Sequence, residues 1–123
     1  MRPRLALSLL AGLAFIAGTA ACSDDDGNNN PPESDISITS GASGKTTNAF
    51  DPNPFTRSLA TSGRVIWINN DGTTHDIESD TPLFDSGDMS SGDTFTFTFT
   101  AAGTYAYHCS IHPNMVGTIV IDP

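Results

Sequence analysis

Apolar and polar positions in this chain alternate in short runs, and no window carries a helical period. The clearest run is Thr94–Thr100, where Phe95, Phe97 and Phe99 fall on one face and four threonines on the other. That period of two predicts a strand with one covered face. Asp35–Thr39 alternates in the same way and predicts a first strand. Arg64–Asn69 is apolar on both parities, which predicts a central or covered strand. Asn70-Asp71-Gly72 then turns the chain into a short extended segment, His75–Ser79. Further on, Ala101-Ala102-Gly103 turns it into Thr104–Cys109, and Val116–Ile121 closes the pattern. The stretch Gly41–Ala60, with Pro52 and Pro54, is expected to hold one irregular edge strand. Short strands separated by turn signals predict an all-β sandwich or barrel.

The start of the chain follows a different pattern. Arg2 and Arg4 precede an apolar run, Leu5–Ala21, broken only by Ser8, Gly12, Gly18 and Thr19. A basic n-region, an apolar h-region and small residues before a cleavage point identify residues 1–21 as a removable signal peptide. The run is too short for a comfortable membrane span. Thr19-Ala20-Ala21-Cys22 resembles the lipobox of bacterial lipoproteins, with Thr19 where leucine is usual. That resemblance implies a lipid on Cys22. Ordinary cleavage would instead leave an exposed free thiol, a liability in an oxidising compartment. Residues 22–34 are acidic and polar, with nothing that could join a core, and are expected to form a disordered tether. The folded domain is then 35–123, large enough for one modest core. It is expected to be a monomer, exported and held by its lipid at the periplasmic or cell-surface side of a membrane.

The formal charge of the chain is −9, and losing Arg2 and Arg4 with the signal peptide takes it to −11. Lys45, Arg57 and Arg64 are then the remaining basic side chains. Nothing here could neutralise the phosphates of a nucleic acid, which excludes that partner. Such acidity suits a basic protein partner, and equally it keeps a small domain soluble.

Candidate chemistry is concentrated in Cys109-Ser110-Ile111-His112-Pro113-Asn114-Met115, a Cys-x2-His-x2-Met spacing. A loop of that length can wrap a thiol, an imidazole and a thioether around one ion. Soft sulfur donors with imidazole suit copper rather than calcium, magnesium or manganese. Two histidines and a cysteine in a trigonal plane, with a weak axial methionine, define a blue-copper site. The second histidine must be His75 or His108. Along Thr104–Cys109 the side chains alternate, so Tyr105, Tyr107 and Cys109 share one face and His108 lies on the other. If Cys109 faces the metal, His108 points away, which selects His75. Taken singly, such residues are commonly core filler or surface groups. With Cys22 lipidated, however, Cys109 has no disulfide partner in the chain, and an unpaired cysteine near a histidine calls for a metal or a catalytic role. A catalytic Cys–His pair would need neither Met115 nor a second histidine. Structural zinc rarely takes methionine and would want a second cysteine.

Val65–Asp71 followed by His75, then Gly103–Cys109 and Met115–Thr118, resemble the cupredoxins, the small blue copper proteins that include plastocyanin, pseudoazurin and amicyanin. The resemblance runs from about Ala49 to Ile121, and the short ligand loop is similar to that of amicyanin. It implies a Greek-key β-sandwich with one copper at one end, bound by His75, Cys109, His112 and Met115. It also implies an electron carrier rather than an enzyme, working with redox protein partners such as a c-type cytochrome or an oxidase or dehydrogenase. His112 would reach the surface through an apolar patch of Ile111 and Pro113, with Pro82 and Leu83 nearby. Many relatives have asparagine directly after the first histidine, where this chain has Asp76. His108 beside Cys109 is similar to copper nitrite reductases, but that enzyme needs further histidines and a second domain. This chain has three histidines in all. Copper storage, delivery or resistance on the same fold is the alternative function, although such proteins tend to expose Met- or His-rich tracts that are absent here.

Overall fold

The computed structural model describes residues 33–123, so the expected signal peptide, Cys22 and nearly all of the tether lie outside the described residues. Nine strands form two packed sheets: β1 Ile36–Ile38, β2 Phe50–Asp51, β3 Phe55–Ser58, β4 Arg64–Asn69, β5 His75–Ser79, β6 Asp85–Met89, β7 Thr94–Thr98, β8 Gly103–Cys109 and β9 Val116–Asp122. One sheet has the order β2-β1-β4-β7 and the other β3-β9-β8-β5-β6. A single 3-10 turn, Ala42–Gly44, is the helical element among the described residues. This is the expected all-β sandwich. Both sheets are mixed, because β1 runs parallel to β4 and β3 runs parallel to β9.

The hydrophobic pattern explains the layers. β4 lies between β1 and β7, and its residues from Val65 to Asn69 are all buried. In β7 the threonines are exposed and Phe95 and Phe97 turn inward, with Phe99 buried just beyond the strand. Trp67 packs against Phe84 at 5.5 Å and Phe95 at 5.4 Å, and meets Tyr107 edge-on at 5.8 Å. Phe50 covers the other side of Tyr107 at 4.8 Å. Burying several aromatic rings of this size supplies much of the core's apolar area. Asp35 ties the sheets together at the start of the described chain. Its carboxylate accepts the Ile66 N–H of one sheet and pairs with Arg57 on β3 of the other.

Three elements depart from the sequence expectation. The Gly41–Ala60 stretch holds two strands, β2 and β3, on the edges of different sheets. Asp85-Ser86-Gly87-Asp88-Met89 carries no alternation and yet forms β6. It is an edge strand, held by pairing with β5 across an irregular register, so its side chains are mostly in water. The strand expected over Thr94–Thr100 ends at Thr98, where the chain leaves β4.

Gly117 stands opposite Tyr107 in the β8–β9 pair. A Cβ at Gly117 would overlap the phenol ring. Gly117→Ala is therefore expected to destabilise the domain by roughly 1–3 kcal/mol through overpacking, measured by chemical denaturation. Combined with Tyr107→Ala, the two losses should be less than additive.

Candidate metal centre

Three chain segments meet at one end of the sandwich. β8 ends at Cys109, whose alternation places Cys109 and Tyr107 inward and leaves His108 partly exposed. His108 instead bonds Asp80 on the surface, Nδ1 to Oδ1 at 2.8 Å. His75, at the start of the neighbouring β5, is fully buried, with its Nδ1 3.6 Å from Cys109 Sγ. The third segment is the loop from Cys109 to Met115. It is closed by Cys109 N–H donating to Met115 O at 3.0 Å and Met115 N–H donating to His112 O at 2.9 Å. Met115 is fully buried within the core.

The donor atoms make a compact triangle. Cys109 Sγ lies 3.6 Å from His75 Nδ1 and 3.7 Å from His112 Nδ1, and the two Nδ1 atoms are 3.2 Å apart. A planar three-coordinate ion with bonds of about 2.0 Å to nitrogen and about 2.3 Å to sulfur needs N···N near ~3.5 Å and N···S near ~3.7 Å. The triangle fits such an ion. Among the described residues, His75, Cys109 and His112 form the cluster of ligand-type side chains whose donor atoms all lie within 4.8 Å of one another. Both imidazoles offer Nδ1, so each Nε2 is free to orient its ring.

For His75 that orientation comes from Asp71. His75 Nε2–H donates to Asp71 Oδ2 at 2.9 Å, in a buried pair. A carboxylate on one ring nitrogen leaves the other as a lone-pair donor and fixes the ring's rotation. Asp71 is held in turn by Gly41 N–H at 2.9 Å and by its own N–H donating to Asn69 Oδ1 at 2.9 Å. Buried Asn69 also donates to Thr73 O and Met89 O, which locks the turn before β5. The hydrogen bond from His75, followed by that from Gly41, holds the Asp71 carboxyl below its ordinary range.

A second carboxylate joins β5 to the ligand loop. Asp76 Oδ2 accepts Ser110 Oγ–H at 2.7 Å, and Asp76 O accepts Ser110 N–H at 3.0 Å. Asp76 N–H points at Cys109 Sγ, 3.5 Å away. In the sequence Asp71 is legible only as a turn residue, and Ser110 and Asn114 are ordinary loop residues. The one available signal was that Asp71 stands four residues before His75. Ile111 and Leu83 are 46% and 44% exposed, and Pro82 and Pro113 are also exposed, with His112 partly so.

The family model described as cupredoxin-like domain matches residues 8–121. Amicyanin from Paracoccus denitrificans is 33% identical over 63 residues, which cover 47% of this chain and 48% of the amicyanin. The chain thus spans about half the length of that relative. Plastocyanin from Capsella bursa-pastoris is 30% identical over 89 residues, covering 60% of this chain and 88% of the plastocyanin. Among solved structures, a purple cupredoxin from Nitrosopumilus maritimus superposes with a TM-score of 0.66 at 30% identity, covering 73% of this chain and all of that one.

Asp71→Ala is expected to weaken metal binding by about 10–100-fold, read by competition with a chelator. A carboxyl lowered in the folded state stabilises it above the unfolded value near ~3.9 and loses that contribution as pH falls through the folded value. Denaturation of the metal-free domain across that acid range should therefore be flatter in Asp71→Asn than in the parent.

Proposed function

Because the chain belongs to the cupredoxin-like family, we propose that it is a blue copper protein carrying single electrons between redox partners outside the cytoplasm. The observation that carries this reading is the triangle of two Nδ1 atoms and one thiol sulfur, with edges of 3.2 to 3.7 Å. His75, Cys109 and His112 would hold the copper in a plane, and buried Met115 would be the weak axial donor. Bound copper supplies a one-electron Cu(II)/Cu(I) couple. The protein's own contribution is rigidity: each donor sits on a strand end or in a hydrogen-bonded loop, so little needs to move when the charge changes.

The four donors leave no open position for a substrate, which supports a carrier rather than an enzyme. Electrons would pass at His112, the partly exposed ligand, with exposed Ile111 and Pro113 on either side. An apolar rim can exclude water and bring a partner close, and the acidic charge of the chain favours a basic partner such as a c-type cytochrome, or an oxidase or dehydrogenase. Removal of residues 1–21 and a lipid on Cys22 would tether the monomer to a membrane surface through residues 22–34. No helix among the described residues is long and apolar enough to cross a membrane.

The copper-loaded domain 35–123 is expected to show a strong thiolate-to-copper band in the visible that disappears in Cys109→Ser. A colourless protein that binds zinc tightly and copper weakly would overturn the reading. The Asp76 carboxylate, bonded to Ser110 beside the thiolate, favours the more positive oxidised metal. Asp76→Asn should therefore raise the reduction potential in protein-film voltammetry, and an unchanged or lower potential would refute that role.

A further inference from the structure

The strap Gly41–Lys45, which follows β1, touches both segments that carry metal-binding side chains. On one side, Gly41 N–H donates to Asp71 Oδ1 at 2.9 Å, while the other oxygen of that carboxylate holds His75. On the other side, Asn114 Nδ2 donates to Lys45 O at 2.7 Å and to Ser43 O at 3.3 Å. Asn114 directly precedes Met115. The strap is therefore bonded to both halves of the site.

Its own conformation is locally enforced. Ala42 is fully buried, and the turn is closed by Ala42 N–H to Thr39 O at 3.0 Å and Lys45 N–H to Ala42 O at 2.9 Å. Lys45 Nζ donates to Thr39 Oγ1 at 2.8 Å. Gly41 has φ 73°, in the left-handed region, and a Cβ there would meet nothing within 4 Å. Glycine is needed at that point for the backbone angle that aims its N–H at Asp71, not for space.

We propose that Asn114 is a positioning residue. Through it the strap fixes the Met115 end of the ligand loop against the segment that carries His75. It thereby sets how far Met115 stands from the three-donor triangle. The consequence for the metal rests on the copper reading given above: the long axial contact is the weakest of the four and the one most easily altered by a backbone shift.

Two experiments with separate readouts test this. In the metal-free protein, Asn114→Ala should speed hydrogen exchange at the Met115 and Cys109 amides on the order of tenfold, the scale of one lost hydrogen bond. Exchange along β4 should stay the same. Unchanged exchange at both loop amides would overturn the proposal. Asn114→Ser, which keeps a short polar group, is read by the same criterion should the alanine variant fail to fold. In the copper-loaded protein, Asn114→Asp sets carboxylate oxygens against two carbonyls and should shift the thiolate-to-copper band further than Asn114→Ala does. Gly41→Ala with Asn114→Ala should be less than additive in that shift, and strict additivity would refute the strap as the link. If the parent shows no such band, the copper reading fails, and the exchange experiment still decides the role of Asn114.

Discussion

The hydrogen bond from His75 to Asp71 is the contact on which the site's geometry depends. It holds a completely buried imidazole with its Nδ1 aimed at Cys109 Sγ, 3.6 Å away. A buried histidine without such a partner would leave a polar N–H unpaired or adopt the other tautomer, and either result would spoil the triangle. The turn from Asn69 to Thr73 exists in this form because Asn69 bonds to three backbone groups at once. These ties form a chain from Asn69 through Asp71 to His75.

The two sheets serve this end of the molecule in different ways. β5 and β8 are neighbours in one sheet, so His75 and Cys109 are delivered by adjacent strands whose relative position is set by the ladder Ile77 to Cys109 and Glu78 to His108. The opposing sheet contributes Trp67, whose ring meets Tyr107, the inward residue two positions before Cys109, edge-on. Packing at Tyr107 thus steadies the strand that presents the thiolate. Its phenol stays neutral, because burial pushes its ionisation above the usual range. Met115, at the end of the loop that carries His112, is fully buried in the core beside these strands.

His75 and His108 illustrate how far local pattern reaches. Alternation along β8 was enough to separate Cys109 from His108, because the direction of a side chain in a strand is a local property with period two. The same reasoning recovers β1, β4, β7, β8 and β9, each of which carries an apolar face, while β5, with His75, Ile77 and Ser79 inward, is placed by the turn before it. It found no trace of β6, whose Asp85, Gly87 and Asp88 would suit a loop equally well. An edge strand with both faces near water has no hydrophobic signature, and β6 exists because β5 offers it a ladder. β2 and β3 were merged into one expected strand for a similar reason: two short edge segments divided by Pro52 and Pro54 leave too few residues for a pattern.

The sequence by itself determined the all-β class, the inward faces of β7 and β8 and the four candidate donors, since these follow from periodicity, spacing and the softness of sulfur and imidazole. Only the tertiary structure decided what orients those donors. Asp71, Ser110 and Asn114 are ordinary turn and loop residues in sequence, and their roles arise from partners at Gly41, Asp76 and Lys45 that folding brings near. Hydrogen bonds between loops have no period to reveal them. They depend on where separate strands end in space, and the packing of the two sheets settles that position.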